Sequence, residues 1–459
     1  MIKCIFKLIA SAIIGISLIS GCSSADQQRQ SILKIYNWAD YIDEELISEF
    51  EEWYLEQTGE EVKVVYQLFD VNEIMLAKIE RGKEDFDVVC PSDYIIERML
   101  SKDLLLPINK EFGQTPNYLH HVSPYIHHLF EKMEAHGNDA NDYAVGYMWG
   151  TNGFLYNTRY VEREEVDTWS ALWNPKFDKK LLIKDAFRDV YSPLLIYANL
   201  DRLSSGEIHL DSLMYDNSDE SIAEVEGLLM QAKPYVAGWE ADFGKELMTK
   251  EAAWLNLSWS GDAAWALEEA AAVGVELDYH VPSEGSIVWF DGWVIPKYAK
   301  NPKAASYFIN FICKPENAIR NMEEVGYVSV ISTPEVLEWA QDYAVEGGYE
   351  DTIDISYFFG EEATNVVANP ILYPDINTIE RCGMMHDSGD RTEVLMVMWS
   401  RVKGNKFNSW MMIVIFLAFG GLFVAGVIKR VRHSRRQMRF RRRYLSLLRR
   451  HVRQITESQ

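Results

Sequence analysis

The sequence predicts an α/β protein of two lobes joined by a hinge, followed by one C-terminal transmembrane helix. Short apolar runs alternate with amphipathic helical stretches across residues 32–405, as expected of sheets covered by helices. Two long, mostly apolar segments at residues 143–150 and 286–296 indicate two crossings between lobes, and residues 410–428 carry no charge. A chain of 459 residues, 48% of them hydrophobic, can bury the cores that this fold requires.

The N-terminus has the pattern of a bacterial secretion signal. Two lysines precede the apolar residues 8–19, and a Ser-Gly-Cys sequence that ends at Cys22 follows. Small residues before a cysteine suit cleavage and attachment of diacylglycerol to the thiol. We therefore expect residues 1–21 to be a lipoprotein signal peptide, Cys22 to be lipidated and residues 22–31 to form a polar tether. The alternative is an uncleaved anchor, or an ordinary signal peptide with a coincidental cysteine.

Cysteine usage gives no structural framework for the exported part. Once Cys4 is removed with the signal and Cys22 is acylated, Cys90, Cys313 and Cys382 remain. Three cysteines cannot form a disulfide framework, and their spacing does not match a zinc site. We expect Cys90 and Cys313 to be small buried hydrophobic residues.

The exported part begins with a βαβαβ pattern, and the two crossing segments set the expected lobe boundaries. Lobe 1 is predicted to comprise residues 32–143 and 287–328, and lobe 2 residues 144–286 and 329–405. In sheets of this kind ligands bind beyond the carboxyl ends of the strands. The predicted site is therefore a cleft between the lobes.

The C-terminus predicts a membrane anchor. As a helix, residues 410–428 would be about 28 Å long, which matches a bilayer core. The tail at residues 429–459 contains twelve Lys and Arg residues and one acidic residue, and the positive-inside rule places it in the cytoplasm. We expect the tail to contact membrane lipid; a buried core helix and a nucleic-acid-binding arm are the alternatives. The net charge of −24 argues against nucleic acid as the partner of the whole chain.

Enzyme signatures are weak, and we expect a binding protein without catalysis, cofactor or metal. The sequence lacks a G-x-S-x-G motif, an H-E-x-x-H motif and a P-loop, and the segment at 258–262 resembles a nucleophile turn without a nearby base. The histidine pairs 120–121 and 127–128 raise a metal-binding alternative. Adjacent histidines point in different directions, however, and Pro124 favours a loop between the pairs.

Aromatic residues adjoin acidic residues after several predicted strands. Such pairs occur at residues 38–41, 91–94, 258–262 and 289–291. A carboxylate in an aromatic-walled, poorly hydrated cleft needs a compensating cation, and ring faces attract ammonium groups and cover methylene chains. This combination suits a linear alkyl polyamine. For any single pair, an aromatic residue in the core beside a solvated acid is the alternative.

The same segments carry a resemblance to a known family. The chain from about residue 33 to residue 400 resembles the spermidine/putrescine-binding proteins of polyamine ABC importers, a branch of the type II periplasmic binding proteins. The landmarks are residues 36–41, 86–92, 147–151, 168–173, 289–291, 309–312, 325–327 and 372–375.

The resemblance implies a set of ligand-binding residues. Asp291 would accept a hydrogen bond from an inner ammonium group, Trp289 would stack on the methylene chain, and Asp189 would hold a terminal amine. Two positions depart from the family pattern: the expected second acid near Asp189 is replaced by Ala186 or shifts to Asp185, and Met385 stands near an expected glutamine. The resemblance also places Asp40 near an amine. The cleft wall would be formed by Trp38, Tyr41 and Tyr327, with Ser92 and Tyr94 on the second loop of the first lobe and Trp259 from the second lobe.

The resemblance also implies a function and a location. The protein would capture putrescine or spermidine in the periplasm and deliver it to an inner-membrane ABC permease. From the sequence of its two ends, it would be anchored to the inner membrane by the N-terminal lipid and the C-terminal transmembrane helix, although the usual family member is soluble and has no such helix. The alternative is a membrane-tethered polyamine sensor that signals through the C-terminal helix.

Overall fold

The fold is described from a computed structural model that covers residues 29–82, 84–133, 137–241 and 243–404. The described residues up to Val402 belong to one compact unit, and a second unit begins at Lys403. The strands are β1 Ile32–Trp38, β2 Lys63–Phe69, β3 Val88–Val89, β4 Leu105–Leu106, β5 Ala144–Asn157, β6 Leu181–Lys184, β7 Val236–Glu240, β8 Leu255–Trp259, β9 Leu277–His280, β10 Ser286–Pro296, β11 Val328–Ser329, β12 Thr352–Ile353, β13 Val366–Val367 and β14 Cys382–Met384.

Helices cover the sheet and fill the connections. The first of them shows how local sequence sets the fold, because Leu46, Phe50 and Tyr54 recur every fourth residue and are buried, and Gly59 ends the helix at φ 70°. The helices are α1 Glu45–Thr58, α2 Asn72–Glu80, α3 Asp93–Ser101, α4 Pro124–Glu131, α5 Phe187–Ala198, α6 Leu200–Ser204, α7 Leu210–Leu213, α8 Asp219–Ala232, α9 Gly244–Thr249, α10 Ser260–Ala272, α11 Pro302–Ile312, α12 Pro315–Val325, α13 Pro334–Glu346, α14 Ser356–Phe359, α15 Ile376–Ile379 and α16 Thr392–Lys403.

Two groups of parallel strands form the two lobes. In lobe 1, β1 lies between β2 and β3 and pairs in parallel with both. In lobe 2, β6 lies between β7 and β8 and again pairs in parallel with both. Parallel pairing on both sides of a central strand requires crossover connections, which the helices supply. The predicted two-lobed α/β fold is confirmed.

The long strands β5 and β10 connect the lobes. They pair antiparallel with each other, and every residue of both strands is buried. At one end β10 pairs with β3 of lobe 1, and at the other end β5 pairs with β8 of lobe 2. The register between β5 and β10 shifts between Asp291 and Gly292. These strands are the two crossings that the sequence predicts.

The segment that follows β10 returns to lobe 1 before it reaches lobe 2. β11 pairs with Met148 and Trp149 of β5, and the Ser123 hydroxyl ahead of α4 donates to the Phe358 carbonyl in α14. Further along, β14 pairs with the start of β10. The exact lobe boundaries given above remain a prediction.

The two ends of the described chain are held by different lobes. Arg29, at the end of the predicted tether, forms ion pairs with Asp85 and the buried Asp87 just before β3. In α16, the Trp399 ring packs edge-on against Trp239 of β7 at 5.0 Å, and Arg401 pairs with Glu226 of α8. The N-terminal end is thus attached to lobe 1 and the C-terminal end to lobe 2.

Within the residues that the structure describes, no helix combines the length and the apolar character needed to cross a membrane. The predicted signal peptide at 1–21, Cys22, the transmembrane helix at 410–428 and the basic tail at 429–459 lie outside those residues.

Candidate ligand-binding site

Asp291 lies at the centre of the candidate site. Its two carboxylate oxygens accept hydrogen bonds from the Tyr41 hydroxyl at 2.8 Å and the Ser92 hydroxyl at 2.6 Å. The side chain is 7% exposed. The pKa of Asp291 is raised to about 6. Burial is the largest cause and the Asp189 charge adds to it, whereas the hydrogen bonds from Ser92 and Tyr41 lower the pKa. The register shift in β10 places this carboxylate beside residues from the lobe 1 loops.

Tyr41 is fixed by the loop that follows β1. The Asn37 amide donates to the Tyr41 carbonyl at 3.2 Å and to the Tyr66 hydroxyl at 2.9 Å. The Tyr41 ring lies edge-on to Tyr147 and Tyr327, with centroids 5.4 and 5.8 Å away. Tyr41 therefore joins the Asp291 carboxylate to an aromatic wall.

The other two predicted residues of this loop are placed differently. The Trp38 ring is partly buried and lies against Phe69, with centroids 4.4 Å apart. Asp40 occupies a left-handed turn at φ 50° and its side chain is exposed. Because solvent reaches the Asp40 side chain, its charge does not require a cationic partner.

Ser92 and Tyr94 share one amide donor. The Asn72 side chain donates to the Ser92 hydroxyl at 3.0 Å and to the Tyr94 hydroxyl at 2.9 Å. The Arg188 guanidinium of lobe 2 covers the Tyr94 ring at 3.9 Å and pairs with Glu73 of lobe 1 at 2.8 Å. Ser92 therefore contacts Asp291 directly through a hydrogen bond, whereas one face of the Tyr94 ring is covered by the guanidinium group of Arg188.

Asp189 supplies the second carboxylate, from lobe 2. It lies in the first turn of α5 and accepts from the Trp259 indole N–H at 2.7 Å and from the Asn152 amide at 3.4 Å. Burial raises the pKa of Asp189 although these bonds and the Lys184 charge oppose the shift. No ion pair to Asp189 or Asp291 occurs among the described residues.

Trp289 and Tyr327 complete the wall between the two acids. Their rings lie edge-on with centroids 5.5 Å apart, and the Tyr327 hydroxyl donates to Asp262 at 2.8 Å. Two glycines make room for these rings. A Cβ atom at Gly150 would lie 2.8 Å from the Trp289 ring, and one at Gly261 would lie 2.3 Å from the Tyr327 ring.

Asp93, the acid of the segment at 91–94, is a further buried carboxyl group, and the predicted ligand-binding residues do not include it. It is fully buried, and one of its oxygens has no hydrogen-bond partner within the described part of the chain. Burial raises the pKa of Asp93 well above its ordinary value, and the charges of Asp291 and Asp189 raise it further. The position of Asp93 between Ser92 and Tyr94 is the sequence signal that could have identified it, but the family resemblance implies ligand contacts only for those two neighbours.

The site as a whole is acidic, aromatic and poorly hydrated. Carboxylates from both lobes are held by neutral hydrogen-bond donors, which orient them without neutralising them. A ligand cation would compensate this charge where water is excluded. The arrangement is built to bind and contains no nucleophile with its base: Ser258 donates to the Trp259 carbonyl, and Asp262 pairs with Lys184.

A separate open groove of about 670 Å³ lies at the end of β7 and contains none of the predicted site residues. It is lined by Asp185, Trp239, Ala241, Phe243, Lys245, Glu246 and Trp265. The histidine pairs are also apart from the site: His127 contacts the Asn141 amide oxygen at 2.6 Å, and His128 pairs with Glu131. In the described ranges no three His, Cys, Asp or Glu side chains are grouped as a metal site, so the metal alternative gains no support.

The chain is similar to several known binding proteins. A spermidine/putrescine-binding periplasmic protein of Salmonella typhimurium is 26% identical over 394 residues, which are 85% of this chain and 97% of that protein. The putrescine-binding periplasmic protein PotF of Escherichia coli is 29% identical over 339 residues, or 71% of this chain and 84% of PotF. The solved structure of the spermidine/putrescine ABC transporter substrate-binding protein PotD of Streptococcus pneumoniae has 29% identity and a TM-score of 0.58, covering 82% of this chain and all of that one.

The family model of bacterial extracellular solute-binding proteins matches residues 45–347, about two thirds of the chain. This match includes the parallel strands of lobe 2, strands β2 and β3 of lobe 1, and all predicted ligand-binding residues except Trp38, Asp40 and Tyr41, which lie just before it together with β1. The chain therefore belongs to the bacterial extracellular solute-binding protein family.

Proposed function

We propose that this protein captures a polyamine, putrescine or spermidine, between its lobes outside the cytoplasm and delivers it to an ABC permease. The observation that carries the proposal is the pair of buried carboxylates, Asp291 from β10 and Asp189 from lobe 2, each held by neutral donors. The named relatives bind spermidine or putrescine, which supports the same ligand class here. Family membership also confirms that the protein is a binding protein and not an enzyme.

Each residue has a part in the proposed complex. Asp291 accepts from one ammonium group, and Tyr41 and Ser92 keep its oxygens in place. Asp189 accepts from the other ammonium group, oriented by Trp259. The rings of Trp38, Trp289 and Tyr327 cover the methylene chain between them. Asp40 and Tyr94 belong to the rim of this site, because the first is exposed and one face of the second is covered by Arg188.

Binding would couple to movement of the lobes. The acids come from different parts of the fold, so one cation chain can touch both only when the lobes are close. Ligand then stabilises the closed form, which the permease recognises. The named relatives are binding proteins, and they lend no support to the sensor alternative.

Membrane attachment at both ends is also part of the proposal, and it rests on the sequence. Lipid on Cys22 and a helix at 410–428 would hold the receptor near its permease and raise its local concentration there. The basic residues after 428 suit the anionic lipids of the inner leaflet.

Calorimetric titration of the full-length chain, freed of co-purified ligand, with putrescine, spermidine and spermine tests the proposal. We expect saturable binding of at least one amine and a loss of about tenfold or more in the Asp291→Asn variant, since a hydrogen bond to a charged group contributes about 1.5–3 kcal/mol. Asp211→Asn, an exposed acid paired with Lys132, is the control. Absence of heat and of thermal stabilisation with all three amines would refute the proposal.

A further inference from the structure

Beside the candidate site, a buried lysine occupies an acidic and aromatic box. The Lys184 side chain is 1% exposed, and its ammonium group lies 2.6 Å from Asp262 and 3.2 Å from Glu240. The same ammonium group lies over the Trp259 ring, 4.0 Å from its centroid, and donates to the Ala241 carbonyl at 3.0 Å. These contacts are those that a bound alkylammonium ion would make.

The sheet of lobe 2 brings the box together. Lys184 is the last residue of β6 and stands opposite Glu240 of β7 in the parallel register. Trp259 ends the neighbouring strand β8, and Asp262 follows in the first turn of α10. The box therefore forms at the carboxyl ends of three adjacent strands, the edge at which a ligand of lobe 2 is expected.

The box is continuous with the proposed polyamine site. One face of Trp259 covers the Lys184 ammonium group, while its indole N–H holds Asp189. Asp262 in turn accepts from the Tyr327 hydroxyl, whose ring lies against Trp289. The box and the site thus share two aromatic walls.

The carboxylates differ in how their charge is compensated. Burial alone would raise the pKa of Asp262, but the Lys184 and Lys245 ammonium groups bring it below its ordinary value. The pKa of Asp189 and that of Asp291 both stay above their ordinary value, chiefly because of burial. An internal ammonium group thus satisfies Asp262, whereas Asp189 and Asp291 retain their need for a cation.

We propose that Lys184 is a specificity determinant: its ammonium group permanently occupies the amine subsite of Asp262, Glu240 and Trp259, so that the cleft selects a ligand with two ammonium groups over one with three. The inference rests on the proposed function, because it assigns the ligand class within the same site. A triamine would have to place its third ammonium group against Asp93, whose burial favours the neutral acid by raising its pKa, or displace Lys184.

The test compares putrescine with spermidine on full-length variants by calorimetry. In the unaltered chain we expect putrescine to bind at least as tightly as spermidine. Lys184→Met combined with Glu240→Gln removes the ammonium group nearest to Asp262 and one buried carboxylate with it, and leaves Asp262 only the 3.4 Å ion pair with the partly exposed Lys245. We expect the affinity ratio to shift at least tenfold towards spermidine. Adding Asp262→Asn to that pair is the matched control, and it should reverse the shift. An unchanged ratio in a folded double variant, judged by circular dichroism, would overturn the inference.

A single substitution covers the case in which the double variant does not fold. Asp262→Asn alone keeps an oxygen for Lys184 and removes the charge. Because Asp262 also accepts from the Tyr327 hydroxyl, the substitution can weaken both amines alike, and the ratio of the putrescine and spermidine affinities is the measurement. If Lys184 fills the subsite, this ratio should change less than threefold; a change of tenfold or more would show that Asp262 holds a ligand ammonium group and would overturn the inference. Failure of every protein, including the unaltered chain, to bind either amine would instead refute the proposed function.

Discussion

The indole N–H of Trp259 donates a 2.7 Å hydrogen bond to the carboxylate of Asp189. The two residues are 70 positions apart in the chain and meet because β8 ends where α5 begins. This bond lowers the pKa of Asp189 against the effect of burial. It therefore helps to keep charged the carboxylate that meets the ligand in lobe 2.

Replacing Trp259 with Phe should weaken polyamine binding by about three- to tenfold at pH 7 and raise the pKa of Asp189. The ring remains in the wall, but the donor that favours the ionised acid is lost, a change of about 1 kcal/mol. Titration calorimetry from pH 5 to pH 8 measures both effects. Trp254→Phe is the control. Trp254 lies apart from the candidate site and stacks on Tyr160, with ring centroids 4.5 Å apart, so this variant should bind the polyamine normally. Equal affinities for the two variants would contradict this role of Trp259.

Affinity for a polyamine should fall as the pH decreases through 6. The pKa of Asp291 in the ligand-free protein is about 6, so this carboxyl group is mostly protonated at pH 5 and mostly ionised at pH 7.5. A cation binds the ionised form, and one proton in competition predicts binding about tenfold weaker at pH 5 than at pH 7.5. The same titration with Asp291→Asn should lose most of this dependence, and a full pH dependence in that variant would exclude Asp291 as its source.

Asp291→Asn should also make the ligand-free protein more stable near neutral pH. Because the folded-state pKa of about 6 lies above the unfolded value, the native protein binds the extra proton, and stability decreases as the pH rises from about 4 to 6. At pH 7.5 the neutral amide removes this cost, which is about 1–3 kcal/mol. Thermal unfolding of both proteins at pH 5 and pH 7.5 measures the effect. The difference in melting temperature should be larger at pH 7.5, and a smaller difference there would contradict the assignment.

Gly261→Ala should reduce polyamine affinity through Tyr327. The new Cβ atom would lie 2.3 Å from the Tyr327 ring, which must move away from Trp289 and from Asp262. We expect a loss of about tenfold in affinity from a protein that still folds. Gly227→Ala in α8 is the control: no atom lies within 4 Å of its new Cβ, and alanine should stabilise the helix by about 0.5–1 kcal/mol. Normal binding by the Gly261 variant would show that Tyr327 does not contact the ligand.

The sequence predicts the two lobes and the strand ends because periodicity is a local property. The strands β5 and β10, and the carboxyl end of β8 at Trp259, follow from nearly continuous apolar runs, which are typical of strands buried on both faces. The family resemblance implies a common site for Asp291, Tyr41 and Ser92, and in the structure Tyr41 and Ser92 both donate hydrogen bonds to Asp291. Their contact with a ligand stays a prediction.

What the sequence missed depends on register and on turns. The ion pair of Lys184 with Asp262 joins residues 78 positions apart, and it exists because β6 and β8 are neighbours in the sheet. The left-handed turn at Asp40, which leaves that side chain exposed, is likewise not visible in the local sequence pattern, and its contact with an amine stays a prediction. The Arg188 guanidinium group that covers Tyr94 comes from the other lobe, and a local sequence pattern cannot predict a contact between residues so far apart in the chain.

The attachment of Arg29 to Asp85 and Asp87 in lobe 1, and of Trp399 and Arg401 to lobe 2, has a mechanical consequence. Any rotation of one lobe against the other changes the separation of the points where the chain enters and leaves the body. If both ends were fixed to one membrane surface, the distance between the two attachment points would be limited, and this limit would favour or oppose rotation of the lobes. Ligand capture would then depend on tension in the chain as well as on chemistry in the cleft.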